Sequence, residues 1–325
     1  MEIKQVNLGW HKVLLCVVLC LVFAQSEAIA SDDKSNQSES LKSTIISAKA
    51  ETKSGNTNGT HSSSNNWLAK EWEPVNELKS YKQNYFLAFS HSSKPNEQPT
   101  SPTIANQASI PYPIQNNEAK FQISLKHVLA DYQGAGSLWL GYTQLTFWQV
   151  YDPSASKPFR EIDFEPELIY SLRPNDTSIL NFGVVHQSIG QAVPAERAWN
   201  RAYVEPGIQF SSNSDERLIL QLRLWKILNS SDLRGNPDIG NYLGYGELNL
   251  RYIQDGGWKV NVMSRILSTQ VDIAAPLSVW LLQPAQGISR DKVDAHLQYF
   301  NGYGEGLLDY NQSHVELGVG ISFPF

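Results

Sequence analysis

The chain is poor in cysteine, in charge and in long apolar runs. Its only cysteines among 325 residues are Cys16 and Cys20. Both lie before Ala28-Ile29-Ala30, a small-x-small cleavage signature that follows the basic residues Lys4 and Lys12 and the apolar run Val13 to Phe23. Residues 1–30 are therefore expected to be a secretory signal peptide. What remains has no disulfide, no thiol nucleophile and no cysteine metal site. The run is shorter than the about 20 apolar residues that a membrane-spanning helix needs, which argues against a helical anchor. The small residues that precede a lipidated cysteine are missing before Cys20.

Charged residues make up 18% of the chain and the formal net charge is -6. Nucleic-acid partners select basic surfaces, so this balance disfavours them. There is no phosphate-cradling glycine loop, dinucleotide fingerprint or zinc motif. His127, His296 and His314 share no spacing that would suggest a metal centre. Residues 31–80 contain the low-complexity stretches SDDKSNQSES and SGNTNGTHSSSNN and are expected to be a polar leader without fixed structure. The organised domain is expected over 81–325.

That domain has no sustained helical periodicity and no internal repeat. Stretches of period-two alternation separated by turn clusters make it all-β. In HVELGVGISFPF, Val315, Leu317, Val319, Ile321, Phe323 and Phe325 form one face and Glu316, Gly318, Gly320 and Ser322 the other. RLILQLRLWKI sets Leu218, Leu220, Leu222 and Leu224 against Arg217, Gln221 and Arg223, and REIDFEPELIY sets Ile162, Phe164, Leu168 and Tyr170 against Glu161, Asp163, Glu165 and Glu167. A soluble β-sandwich binding module would alternate in the same way. Export, strands near the about 9 to 11 residues of a membrane-spanning strand, and charge rows of opposite sign that can neutralise each other inside favour a transmembrane β-barrel. Twelve antiparallel strands are expected: 82–90, 119–128, 136–149, 160–172, 178–188, 198–210, 217–227, 244–254, 258–266, 275–283, 292–300 and 314–325. Short turns should face the periplasm and long connections the outside.

The stretch FGVVHQSIG puts His186 and Ser188 on the face of Phe182 and Val184, and Asn200 shares the apolar face of the next strand with Ala202 and Val204. All three should therefore look toward lipid near one end of the barrel. A serine hydroxyl is a weak nucleophile until a neighbouring base takes its proton, and the base works better when a third group fixes its tautomer. An amide suits that third role here, because a carboxylate facing lipid is costly. The chemistry implied is acyl transfer to water. An inert barrel, a porin or a structural protein with interfacial His and Ser, is the competing reading.

HQSIGQAVPAERAWNR resembles the active-site block of the outer membrane phospholipase A family, and the likeness extends through YTQLTFWQ, SKPFREIDFEPEL, NPDIGNYLGY and NGYGEGLLDYN. The resemblance implies a calcium-dependent barrel lipase of the outer membrane, spanning it many times, active as a homodimer at the outer-leaflet side. Its substrates would be the sn-1 and sn-2 acyl esters of glycerophospholipids and lysophospholipids. It also implies Ser188 as nucleophile, His186 as base, Asn200 as the residue orienting it, and Gly190 as backbone donor to the oxyanion. The family's calcium would fall to the Ser156 side chain and to the backbone oxygens of Gln191 and Glu196, with the Glu196 carboxylate as a further hard ligand. Gln144 matches a glutamine that bonds across the family's dimer interface.

Overall fold

The computed structural model describes residues 66–103, 113–153, 158–191, 195–211, 215–228, 233, 235–277 and 293–323. The expected signal peptide and most of the expected leader lie outside these.

Twelve antiparallel strands close into a barrel. In chain order they are β1 (Asn84–Ser92), β2 (Asn117–Asp131), β3 (Ser137–Trp148), β4 (Phe159–Asn175), β5 (Ser178–Ser188), β6 (Ala198–Ser211), β7 (Glu216–Ile227), β8 (Gly246–Gln254), β9 (Lys259–Arg265), β10 (Ser268–Pro276), β11 (Asp294–Gly302) and β12 (His314–Phe323). Each pairs with its neighbours in sequence, and β12 pairs with β1 to complete the circle. Closure removes the unpaired strand edges that hydrocarbon could not solvate. A short bridge, Lys79–Ser80, pairs with Lys126 and Leu125 and extends the β1 edge along β2.

The alternation resolves as lipid outside and charge inside. Val315, Leu317, Val319 and Phe323 are exposed along β12, as are Leu222 and Leu224 on β7 and Ile208 and Phe210 on β6. Turned inward, Arg223 meets Glu205 at 2.5 Å and Glu167 at 3.7 Å, Lys82 meets Glu165 at 2.6 Å, and Arg265 meets Glu247 at 2.9 Å. Paired in this way, the charges escape the full desolvation cost of an isolated buried ion.

Both ends of the lumen are stopped. At one end the helix α1 (Trp67–Glu71) and Trp72 sit inside the barrel, where Leu68 and Trp72 pack with Tyr81, Trp139, Ile169 and Ile179. The Leu68 N–H donates to Gln209 Oε1 at 2.8 Å, and Glu71 pairs with Arg251 at 3.0 Å. At the other end the β11–β12 connection folds down onto the mouth. The Leu307 and Leu308 N–H groups donate to Asp163 and Glu161, and Leu307, Leu308 and Tyr310 join Trp199, Trp225 and the helix α2 (Ile239–Leu243) in an apolar cluster. Between the stoppers lies a cavity of about 210 Å³ lined by residues of both signs. In this second stopper burial opposes the Glu305 carboxylate, but the Lys120 ammonium and His314 outweigh it and hold its carboxyl below the ordinary range. An open pore is not what the described residues form.

Three expectations are corrected. Residues 66–80, expected inside an unstructured leader, are built into the lumen, because Leu68 and Trp72 supply the apolar surface that the polar stretch before them lacks. The strand expected at 275–283 is β10, Ser268–Pro276. The turn before it, Ile266–Leu267, carries none of the usual turn residues, and Ile266 is 74% exposed. As a result, a tight hairpin stands at the end where long connections were expected, and the long 277–293 connection stands at the opposite end.

The outward face carries a direct test. Val319→Arg, near the centre of β12, is expected to cost about 2 to 4 kcal/mol of stability in a bilayer. Denaturant titration of the folded protein in lipid vesicles measures it.

Candidate active site

Strands β5 and β6 form a hairpin at the end stopped by the β11–β12 connection. Their register pairs His186 with Asn200, Gln187 with Trp199 and Ser188 with Ala198. One further bond, from the Ile189 N–H to the Arg197 carbonyl at 3.2 Å, continues the hairpin past Ser188. Ile189 is buried in the apolar cluster of the mouth, so the chain just beyond Ser188 is anchored to the barrel.

On the outward face, His186 Nδ1 lies 2.7 Å from Asn200 Oδ1. An amide oxygen only accepts, so Nδ1 carries the proton and a neutral imidazole keeps its lone pair on Nε2. This is the tautomer a general base for a serine requires. His186 is exposed on the lipid side, whereas Ser188 and Asn200 are half-buried. Ser188 follows His186 by two residues along the same face, on the order of 7 Å at strand rise.

Phe164 of β4 pairs with Ser188 on its other side. Just past Ser188, Gly190 has φ +65°, a left-handed conformation that glycine adopts without strain, and a Cβ there would lie 3.3 Å from the Phe164 ring. Gln144 of β3 pairs with Phe164, so Gln144, Phe164 and Ser188 form one lateral row. Gln144 accepts from the Tyr142 hydroxyl at 2.9 Å and donates to Thr146 Oγ1 at 3.1 Å, which satisfies a polar side chain on the apolar face.

The expected calcium ligands fare unequally. Ser156 lies outside the described residues, in the β3–β4 connection, which opens at the same end. Gln191 is exposed. The Glu196 carbonyl oxygen fits poorly, because it accepts from Arg197 Nη1 at 2.9 Å and abuts Gly235 closely enough that a Cβ there would collide with it. A cation at that oxygen would have to displace a guanidinium. The half-buried Glu196 carboxylate remains the hard donor at this position. A second cluster, Glu305, His314 and Glu316, brings three metal-type ligands together, but Lys120 bridges both carboxylates.

Reading the sequence missed the inward side of the hairpin. Gln187 Oε1 accepts from Trp199 Nε1 and from Arg201 Nη2, although the same alternation that sent His186 outward places Gln187 inward.

The family model for phospholipase A1 matches residues 64–323. A Neisseria meningitidis serogroup B relative is 32% identical over 253 residues, which cover 74% of this chain and 63% of that protein. The phospholipase A1 of Escherichia coli K12 is 28% identical over 220 residues, covering 64% of this chain and 70% of the enzyme. Among solved structures, outer membrane phospholipase A from Escherichia coli superposes with a TM-score of 0.61 at 25% identity, over 76% of this chain and 98% of that one. The Salmonella typhi outer membrane phospholipase dimer with bound calcium gives the same TM-score and identity, over 76% of this chain and 92% of that one. With this fold, this hairpin and a family match across the whole barrel, the chain belongs to the phospholipase A1 family of enzymes.

Proposed function

We propose that the chain is a calcium-dependent phospholipase of the bacterial outer membrane that hydrolyses sn-1 and sn-2 acyl esters of glycerophospholipids and lysophospholipids. The observation that carries this reading is the His186–Asn200 hydrogen bond on the lipid-facing side of the strand that bears Ser188. A hydrolase pair facing hydrocarbon has lipid as its natural substrate, because the ester arrives laterally from the leaflet.

In the reaction, Ser188 Oγ attacks the acyl carbonyl while His186 Nε2 takes its proton, and Asn200 holds the imidazole by its Nδ1–H. The Gly190 backbone N–H donates to the oxyanion as the tetrahedral adduct forms. The adduct collapses, His186 protonates the departing glycerol oxygen, and the acyl group stays on Ser188. Water then attacks the acyl-enzyme, giving its proton to His186, and the fatty acid leaves as Ser188 recovers its hydrogen. The calcium ligands would be Ser156, the Gln191 carbonyl and the Glu196 carboxylate. When bound, the ion supplies polarisation of the ester carbonyl.

Two further elements belong to the proposal. The long connections 93–116, 149–158, 228–245 and 303–313 all leave from the site end, which supports placing that end at the outer leaflet. A second copy of the chain is the proposed partner, docked on the face that carries the Gln144–Phe164–Ser188 row; the related Salmonella typhi enzyme is a dimer. Dimerisation would then gate an enzyme that otherwise threatens its own membrane.

Three outcomes test the reading. Ser188→Ala is expected to lower fatty-acid release from detergent-dispersed phospholipid by on the order of 10⁴-fold or more, and unchanged release would sink the assignment. Asn200→Ala should cost on the order of 10²-fold in kcat, because the base loses its orientation. A chelator should abolish release and added calcium restore it, with Glu196→Gln raising the calcium needed for half-maximal rate; equal calcium curves for parent and variant would remove the carboxylate from the ligand set.

A further inference from the structure

The outward-facing trio raises a physical difficulty. His186 and Asn200 project toward acyl chains, a fluid medium that packs on them without fixing them, yet a catalytic pair must hold its geometry within a fraction of an ångström. Rigidity has to come from behind the sheet.

The lumen side of the same hairpin supplies it, at the Gln187–Trp199 and Val185–Arg201 pairs that flank His186–Asn200. Gln187 lies between His186 and Ser188 in sequence, and Trp199 and Arg201 lie on either side of Asn200. A single atom, Gln187 Oε1, accepts from Trp199 Nε1 at 2.9 Å and from Arg201 Nη2 at 3.0 Å. One oxygen therefore ties both neighbours of Asn200 to the residue between base and nucleophile. Its two donors are themselves immobilised. Trp199 is 1% exposed, the Arg201 guanidinium stacks over its ring at 3.9 Å, and Trp225 meets it edge-on at 6.2 Å. Arg201 also reaches Glu165 at 3.6 Å, and Glu165 is held in turn by Lys82 at 2.6 Å.

We propose that Gln187 is a positioning residue for the acyl transfer, an inward acceptor that clamps β5 to β6 directly behind the His186–Asn200 pair. The inference rests on the function proposed above and adds to it. Gln187 touches neither substrate nor the reacting atoms. It acts by holding the backbone twist and separation of the two strands at the one register position where an outward hydrogen bond has to be kept short.

The test uses the full-length protein folded in detergent with calcium, and reads kcat, KM and heat-modifiable gel mobility. Gln187→Met keeps the volume and removes the acceptor. It should lose about 10- to 100-fold in kcat, with KM within about twofold of the parent and the mobility shift intact. Gln187→Glu keeps an oxygen acceptor for both donors and should recover most of that loss. Because the clamp acts through Asn200, Gln187→Met should cost less than about twofold more in an Asn200→Ala background, where independent effects would instead multiply. Trp199→Phe, which removes one donor and keeps a ring in the cluster, should give a partial loss of kcat and serves if the methionine variant does not fold. Full kcat in both Gln187→Met and Trp199→Phe, no recovery in Gln187→Glu, or losses that multiply with Asn200→Ala would each overturn the clamp. Ser188→Ala measured alongside separates the two failures: an inactive alanine variant beside a fully active Gln187→Met defeats the clamp alone, whereas an active alanine variant defeats the proposed chemistry and the clamp with it.

Discussion

Everything in this molecule follows from a sheet whose outer surface is hydrocarbon. A strand alternates its side chains between two faces, and in a closed barrel one face meets lipid and the other a lumen. That rule exposes Leu317 and Val319 and turns Glu316 inward, where it meets Lys120 at 2.5 Å. It also decides where chemistry can stand. A reactive pair on the lumen side would lie among Arg223, Glu205 and Glu167, behind two stoppers, whereas a pair on the outer face would meet lipid directly. On the proposed chemistry the cost is that support for the His186–Asn200 pair has to come from behind the sheet, with a neutral Asn200 in the place where a soluble hydrolase can use a carboxylate.

Much of the barrel was legible because alternation is a local property. The faces of β4, β7 and β12 follow directly from which residues are charged, and the outward placement of His186, Ser188 and Asn200 follows from their parity with Phe182 and Val204. The failures were those of non-local or signal-poor features. The Ile266–Leu267 turn has no glycine, proline or asparagine, so nothing nearby in sequence separates β9 from β10. The α1 plug is five residues long; its order comes from contacts with Trp139, Ile169 and Ile219, strands distant in sequence, and no periodicity could report them. Gln187 was passed over, although its parity is opposite to that of His186, because its two donors become visible only once β6 is in register.

The lumen shows how a polar interior is made rigid. Its ion pairs are not isolated couples. Arg223 reaches both Glu205 and Glu167, Tyr203 donates to Glu167 at 2.7 Å, and Arg251 links Glu71 of the plug to Gln221 of β7. Such a network resists replacement of one member, since each removal strands a buried charge. The α1 plug is thereby part of the same framework that supports the β5–β6 hairpin from inside, through Glu205, Arg223 and Glu167 up to Glu165 and Arg201.

The two stoppers also decide how matter moves. Among the described residues, α1 stands across one end of the lumen and Leu307 and Leu308 across the other. On the proposed chemistry, hydrolytic water therefore comes only from the aqueous side of the interface at the hairpin end. On that same proposal both products, the fatty acid and the lysolipid, would depart sideways into the leaflet from which the substrate came. Such an enzyme would be a post standing in the membrane, worked on its outer wall, and its reaction would leave the permeability of the membrane to the products themselves rather than to any hole in the protein.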